Sequence, residues 1–233
     1  MNEEDQAQTS PTTPASSTDH AAPPLAAVLL AGGASSRMGV AKAWLDWRGR
    51  PLLSHIAELF DDYGARVVVV GAPGQELPPL PAACLRVDDP PGERGGPLVG
   101  LSVGLEALGA APRPGEIAFL SACDNVFLSR VHLDFLVATL VEDPSAEAVL
   151  PIDAPDPRSG KRFAHPLASA LRSGPGLEAA RSLLAAGRRR PVALFDAVKN
   201  TLRVDADKLP DPRVLRTCNT PEEYAAARSG GGS

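Results

Sequence analysis

Cysteine is scarce in this chain: Cys84, Cys123 and Cys218 are widely spaced and odd in number. With no Cys-x-x-Cys pair among them, they spell neither a zinc-ligand set nor a disulfide framework, and the cytosol is the expected compartment. Long apolar runs are missing too. No stretch approaches the ~20 residues that a membrane-spanning helix needs. The beginning of the chain is acidic and lacks the basic start and apolar run of a secretory signal, so it is not expected to act as one. Nor is there a surplus of positive charge. The formal net charge is −5, and residues 1–24 supply Glu3, Glu4, Asp5 and Asp19 without a single Lys or Arg, so the remainder is near neutral. Such a surface has no broad cationic field to hold nucleic acid or an anionic membrane, and phosphate binding has to come from a local pocket. Three catalytic signatures are also absent. The Gly-Lys-Ser/Thr ending of a Walker A loop does not occur, the third glycine of a dinucleotide fingerprint falls at the wrong spacing, and no Ser, Cys and His form a triad-like arrangement.

What remains is a chain of 233 residues with 44% hydrophobic and 22% charged residues. That is enough for one sizeable α/β domain with a buried core. Residues 1–24, rich in Ser, Thr, Pro, Ala and acids, are expected to form a disordered tail. The domain is expected over residues 25–227, with residues 228–233 as a flexible tail. Within the domain, strands and helices alternate. Short continuous apolar runs predict buried strands at Leu25–Ala31, Arg66–Val70, Cys84–Val87, Glu116–Ser121 and Ala146–Ile152. Helices are predicted at Pro51–Tyr63, with Gly64 just past its end, at Leu98–Leu108, and from a Ser129 cap through Leu140. The second half is less regular: Phe163–Leu171 is expected to rejoin the sheet, a helix to span Leu177–Ala186, and a terminal helix to start near Thr220. The pattern implies a three-layer α/β fold, a mostly parallel central sheet with helices on both faces. Ligands in such sheets bind beyond the carboxyl ends of the strands. The functional loops should therefore follow Ala31, Val70, Val87 and Ser121.

Three segments at those places carry chemistry. The first is Leu30-Ala31-Gly32-Gly33-Ala34-Ser35-Ser36-Arg37-Met38-Gly39, followed by Lys42. Gly32 and Gly33 let backbone approach a ligand that a Cβ would exclude. Successive backbone N–H groups make an anion cradle, Arg37 offers a planar fork for phosphate oxygens, and Lys42 adds a point charge. The second is Ser121-Ala122-Cys123-Asp124, where an aspartate just past a buried strand can hold Mg²⁺, a cation that prefers oxygen ligands and bridges phosphates. A turn or helix-cap aspartate is the other reading of that position. The third is Asp88-Asp89-Pro90 with Gly95-Gly96-Pro97, where glycines bring helix N–H groups near a ligand or simply make a turn. Arg188-Arg189-Arg190, at the end of a predicted helix, could meet an anionic acceptor or be a solvated basic turn suited to a helix C-terminus.

The combination resembles the molybdenum cofactor guanylyltransferases, within the larger group of nucleotidyltransferases with a Rossmann-like sheet. The matching segments are Leu30-Ala31-Gly32-Gly33 with Arg37-Met38-Gly39 and Lys42-Ala43, then Gly49 with Pro51-Leu52-Leu53, Asp89, Gly96-Pro97-Leu98 with Gly100-Leu101, Cys123-Asp124, His165-Pro166-Leu167, and Asn219-Thr220-Pro221-Glu222-Glu223. They run in the family's order from about residue 25 to 227. The resemblance implies nucleotide contacts from Leu30, Ala31, Gly32, Lys42 and Asp89, and Mg²⁺ on Asp124; together with the chemistry of the loops, the candidate nucleotide contacts also include Gly33, Gly71 and Asp124, and the candidate catalytic residues are Lys42, Arg37 and Asp124. The implied reaction joins GMP from GTP to molybdopterin carrying molybdenum and releases pyrophosphate, with molybdoenzymes or their chaperones downstream. The sequence departs from the family at two positions. The family usually has a proline two residues after the aspartate, where Val126 stands here. A nucleotide-contacting asparagine is common after the second strand, where Gly71 stands. Two alternatives stay open: a related transferase acting on CTP or a sugar phosphate, and a catalytically weakened nucleotide-binding domain.

Overall fold

In the computed structural model, residues 22–31, 41–90, 96–111 and 113–229 are described. Gly32, Gly33, Ser35, Ser36, Arg37, Met38, Gly39 and Gly95, most of the acidic tail and residues 230–233 lie outside them. In chain order the elements are β1 (Leu25–Leu30), β2 (Asp46–Trp47), β3 (Arg50–Pro51), α1 (Leu52–Asp62), β4 (Arg66–Gly71), β5 (Leu85–Asp88), α2 (Pro97–Gly109), β6 (Ile117–Ala122), α3 (Arg130–Glu142), β7 (Ala148–Ile152), β8 (Ala168–Arg172), α4 (Ser173–Ala185), α5 (Leu194–Ala197), β9 (Thr201–Asp205) and α6 (Pro221–Ser229). Seven strands form one sheet in the order β5-β4-β1-β6-β8-β7-β9, and β2 and β3 make a separate two-stranded hairpin. All pairings in the large sheet are parallel except those of β8, which runs antiparallel to both β6 and β7.

The centre is β1, paired with β4 on one side and β6 on the other. Its sequence, Leu-Ala-Ala-Val-Leu-Leu, does not alternate with polar residues because both faces are covered. Ala27 and Leu29 point into one core with Phe60, Leu133, Leu136 and Tyr224, from α1, α3 and α6. Ala26, Val28 and Leu30 point into the other with Leu101, Leu105, Ala180 and Phe195, from α2, α4 and α5. The period-two split of one strand between two cores is the three-layer arrangement expected from the sequence. α2 lies close on β1 because of two glycines. A Cβ at Gly104 would fall 2.3 Å from Val28 Cγ1, and one at Gly100 would fall 3.0 Å from Leu30 Cδ2 and 3.1 Å from Asp89 Oδ1.

Most predicted elements form within a residue or two of their expected ends, and several differences have physical reasons. Ser129 is the residue before α3, but its hydroxyl makes no capping bond; its carbonyl accepts from His132 and Leu133 N–H instead. Of Phe163–Leu171, only the stretch from Ala168 onward is strand. Pro166 has no N–H to donate to a ladder, and Ala164 makes only an isolated bridge to Ile152. α4 begins four residues before Leu177. Gly174-Pro175-Gly176 reads as a turn, yet Pro175 falls in the first helical turn, where a missing N–H costs nothing. β9, the hairpin and α5 were not anticipated.

Candidate active site

The chain leaves β1 toward β4 and β5 on one side of the sheet and continues through β6 on the other, so the strand order reverses between β1 and β6. That is where doubly wound sheets open a crevice. The segments after β1, β4, β5 and β6 all emerge on the same edge. Cys123 N–H donates to the Leu30 carbonyl (3.0 Å), carrying the β1–β6 pairing to the lip of the crevice and setting Asp124 beyond it. Cys123 itself is buried. Burial, with the Asp124 carboxylate beside it, pushes its thiol up to about 12, so it stays a neutral packing group.

Lys42 opens a short 3₁₀ turn, Lys42–Trp44. Its ammonium lies 2.9 Å from Asp124 Oδ2 and 2.8 Å from Asn219 Oδ1. The two charged side chains are only 17% and 22% exposed, so the pair is less screened than a surface pair. The backbone supports the arrangement: Cys218 N–H donates to the Asp124 carbonyl (3.3 Å). Asn219 in turn is held by Glu223, whose carboxylate accepts from the N–H groups of Asn219 (2.7 Å) and Thr220 (3.2 Å), while the Thr220 hydroxyl accepts from Glu223 N–H (3.2 Å). This is a capping box, and it starts α6 where the sequence places it. α6 is anchored to the lysine's own segment: Tyr224 Oη donates to the Asp46 carbonyl, Arg228 pairs with the Asp46 carboxylate at 3.0 Å, and the Tyr224 ring packs on Trp47. Asn219 figured in the sequence reading only as part of a motif; its contact with Lys42 joins residues 177 positions apart and has no local signal.

The other half of the crevice lies over β4 and β5. Ala31 N–H donates to the Val70 carbonyl (2.8 Å), and Asp89 N–H to the Gly71 carbonyl (2.8 Å). Asp89 Oδ1 is buried against the Gly100 turn of α2 and has no hydrogen-bond partner among the described residues. Burial, and then the neighbouring Asp88 carboxylate, raise its pKa above the usual carboxylate range. A buried acceptor without a donor is costly unless something supplies one. Gln75, which the sequence reading passed over, bridges this half to the first loop. Its Nε2 donates to the Ala31 carbonyl (3.1 Å) and its Oε1 accepts from Ala72 N–H (2.9 Å).

Thus Lys42 and Asp124 are in direct contact, and Leu30, Ala31, Gly71 and Asp89 line the same edge, while Gly32, Gly33 and Arg37 are outside the described residues. Two further segments of the sequence reading also reach this edge. The Arg189 carbonyl lies 3.4 Å from where a Gly96 Cβ would be, so the Arg188–Arg190 stretch borders the start of α2. His165 leads into β8, with Nε2 2.9 Å from Asp153 Oδ1 at an angle that gives no hydrogen bond. At the first departure from the family pattern, Val126 is buried in the α3-side core, and Asn125 Nδ2 reaches the Leu167 carbonyl (3.4 Å). Asp124 supplies one carboxylate, and no cluster of three or more His, Cys, Asp or Glu side chains occurs among the described residues. One carboxylate suits Mg²⁺, which keeps several waters and completes its shell with substrate phosphates. No helix among the described residues is long and apolar enough to cross a membrane.

Comparison with known proteins follows the same lines. The profile of the MobA-like NTP transferase domain matches residues 27–198. A Mycobacterium tuberculosis protein named "Probable molybdenum cofactor guanylyltransferase" is 38% identical over 189 residues, covering 80% of this chain and 87% of the relative. A Mycobacterium avium protein of the same name is 37% identical over 206 residues, covering 87% and 94%. Among solved structures, the fold is similar to molybdopterin-guanine dinucleotide biosynthesis protein A from Archaeoglobus fulgidus, with a TM-score of 0.61, 17% identity and coverage of 87% of this chain and 96% of that one. It is also similar to 2-C-methyl-D-erythritol 4-phosphate cytidylyltransferase from Thermus thermophilus, with a TM-score of 0.64, 19% identity and coverage of 88% and 97%.

Proposed function

The chain belongs to the MobA-like NTP transferase family, and from that premise we propose that it transfers GMP from GTP to molybdopterin carrying molybdenum, releasing pyrophosphate. As a member it is a nucleotidyltransferase. The choice of nucleotide and acceptor is our reading, supported by the names of the curated relatives at 36–38% identity. The observation that carries it is the Lys42 ammonium held between Asp124 and Asn219 at the point where the sheet's strand order reverses.

In this reading the terminal phosphate of the acceptor attacks the α-phosphorus of GTP in line. A new P–O bond forms as the bond to the β-phosphate breaks, and pyrophosphate leaves. Such a transfer needs no covalent enzyme intermediate; it needs two anions held together and the charge on their oxygens balanced. Lys42 supplies positive charge beside the α-phosphate, and Asn219 keeps the ammonium on station. Gly32, Gly33 and Arg37, which lie outside the described residues, would offer the phosphates backbone N–H groups and a guanidinium. Asp89 accepts a hydrogen bond from the nucleoside on the oxygen that has no partner among the described residues. Asp124 would hold Mg²⁺, which when bound would supply positive charge against the phosphates. The cytosol, where GTP is available, is the proposed compartment, with molybdoenzymes or their chaperones as recipients.

The test is a nucleotide panel. The purified chain is given Mg²⁺, molybdenum-loaded molybdopterin and GTP, CTP, ATP or UTP in turn, and pyrophosphate release is followed. Release with GTP far above the others is expected. Preference for CTP would move the chain to the cytidylyl-transferring branch, and no release with any nucleotide would favour a binding domain.

A further inference from the structure

Gly71 ends β4 on the ligand edge without a side chain, and the space beside it is occupied from elsewhere. A Cβ at Gly71 would lie 3.3 Å from Gln75 Oε1 and 3.6 Å from Leu77 Cδ1. Gln75 gets there through a tight turn: its N–H donates to the Ala72 carbonyl (3.0 Å), with Pro73-Gly74 at the turn's centre, the pairing a type II turn selects. A side chain at 71 and the carboxamide of Gln75 therefore compete for one place.

That place lies between the two halves of the crevice. Asp89 follows β5 and Asp124 follows β6, with β4 and β1 between them. Three strand spacings separate the two aspartates, on the order of 14 Å. A nucleotide with its phosphates at Lys42 and Asp124 and its nucleoside toward Asp89 must cross the ends of β1 and β4, where Gln75 bonds to Ala31. A carboxamide has two N–H donors and two acceptor lone pairs. One donor is used on the Ala31 carbonyl and one lone pair on Ala72 N–H, which among the described residues leaves one of each and also fixes which end of the amide is nitrogen. A locked amide reads the order of groups along a base edge. Guanine presents an acceptor oxygen beside a ring N–H; adenine and cytosine present an amino donor beside a ring acceptor.

We propose that Gln75 is a specificity-determining residue, the side chain by which this chain recognises the guanine base, standing in the space that Gly71 leaves. The assignment rests on the guanylyl-transfer reading of the site. It is tested by direct binding of the Mg²⁺ salts of GTP, ATP and CTP to the full chain without acceptor, by calorimetry. The wild type should bind GTP most tightly. Gln75→Ala should weaken GTP about tenfold, the loss of one well-formed hydrogen bond with its partner left unpaired, and change ATP and CTP little. Gln75→Glu, nearly the same shape with no N–H for Ala31, should also lose the preference. Gly71→Asn should bind poorly alone because it crowds Gln75, and Gly71→Asn with Gln75→Ala should regain part of the GTP preference from the other side of the shared space. If Gln75→Ala and Gln75→Glu weaken all three nucleotides alike, or none, Gln75 only braces Ala31 and the assignment is overturned. If the wild type itself binds the three alike, the guanylyl-transfer reading fails, and this assignment fails with it.

Discussion

Among the described residues the Lys42 ammonium meets oxygens of two kinds, a carboxylate of Asp124 and a carboxamide of Asn219, from residues far apart in the chain. A point charge suits that convergence, and a planar guanidinium does not. Lys42→Ala should therefore lower kcat and raise KM for GTP together, because a contact to oxygens whose charge changes during transfer is stronger in the transition state. Lys42→Arg should be impaired as well. Steady-state pyrophosphate release measures both, and wild-type rates in both variants would contradict the phosphate role of this lysine. Asp124→Ala should lose turnover by a factor on the order of 10² or more, as expected when a metal-binding carboxylate is removed, while its melting temperature stays close to the wild type's. Near-normal turnover would remove Asp124 from the metal assignment. The contact between Lys42 and Asp124 could be suspected from sequence, because both follow buried strands that end on one edge. The hold of Asn219 on Lys42 and that of Gln75 on Ala31 could not, since each depends on how distant loops meet.

The helices show the same division. α1, α2 and α3 and the strands β1, β4, β5, β6 and β7 were legible because apolar runs and turn residues mark them locally. β9 was missed although its pattern was there: Thr201–Asp205 alternates polar and apolar residues, and Leu202 and Val204 pack against the α3-side core, but the run is only five residues long at the edge of the sheet. The start of α4 was missed because Gly174-Pro175-Gly176 is turn-like until packing against β8 decides the matter: a Cβ on Gly176 would lie 2.4 Å from Leu171 Cδ1. α2 gives a direct test of such packing. Gly104→Ala gains up to about 1 kcal/mol in helix propensity but forces a methyl into Val28, which is β-branched and completely buried in the central strand. Overpacking of about 1–3 kcal/mol should win, and the melting temperature should fall by several degrees. An unchanged or higher melting temperature would mean that α2 does not lie this close to β1. At the other end, Thr220→Ala removes one bond of the capping box and should cost about 1 kcal/mol in chemical denaturation, with Thr220→Ser nearly neutral.

Over the whole molecule, buried histidine makes stability depend on pH in a defined direction. His132 is 1% exposed, and its Nε2 lies 2.9 Å from the Ala168 carbonyl, so that nitrogen carries the proton and Nδ1 is a buried acceptor without a partner among the described residues. Burial holds its pKa below the ordinary 6.5, and half-burial with Arg48 and Arg50 nearby does the same for His55. The unfolded chain then takes up these protons first as pH falls, so the contribution is fully present above about 6.5 and is lost on going below it. The melting temperature should drop between pH 7.5 and 5.5, and drop less in His132→Gln, which keeps a donor for Ala168 and does not titrate. An equal drop in that variant would show that His132 does not set the slope. The transfer of GMP is tested most directly by supplying GTP radiolabelled at its α-phosphate, with Mg²⁺ and molybdenum-loaded molybdopterin, and following the label. Label appearing in a product with the mass of the guanine dinucleotide cofactor, matched by pyrophosphate and abolished in Asp124→Ala, is the predicted result. Label remaining in GTP, or passing only to GMP or GDP, would contradict it.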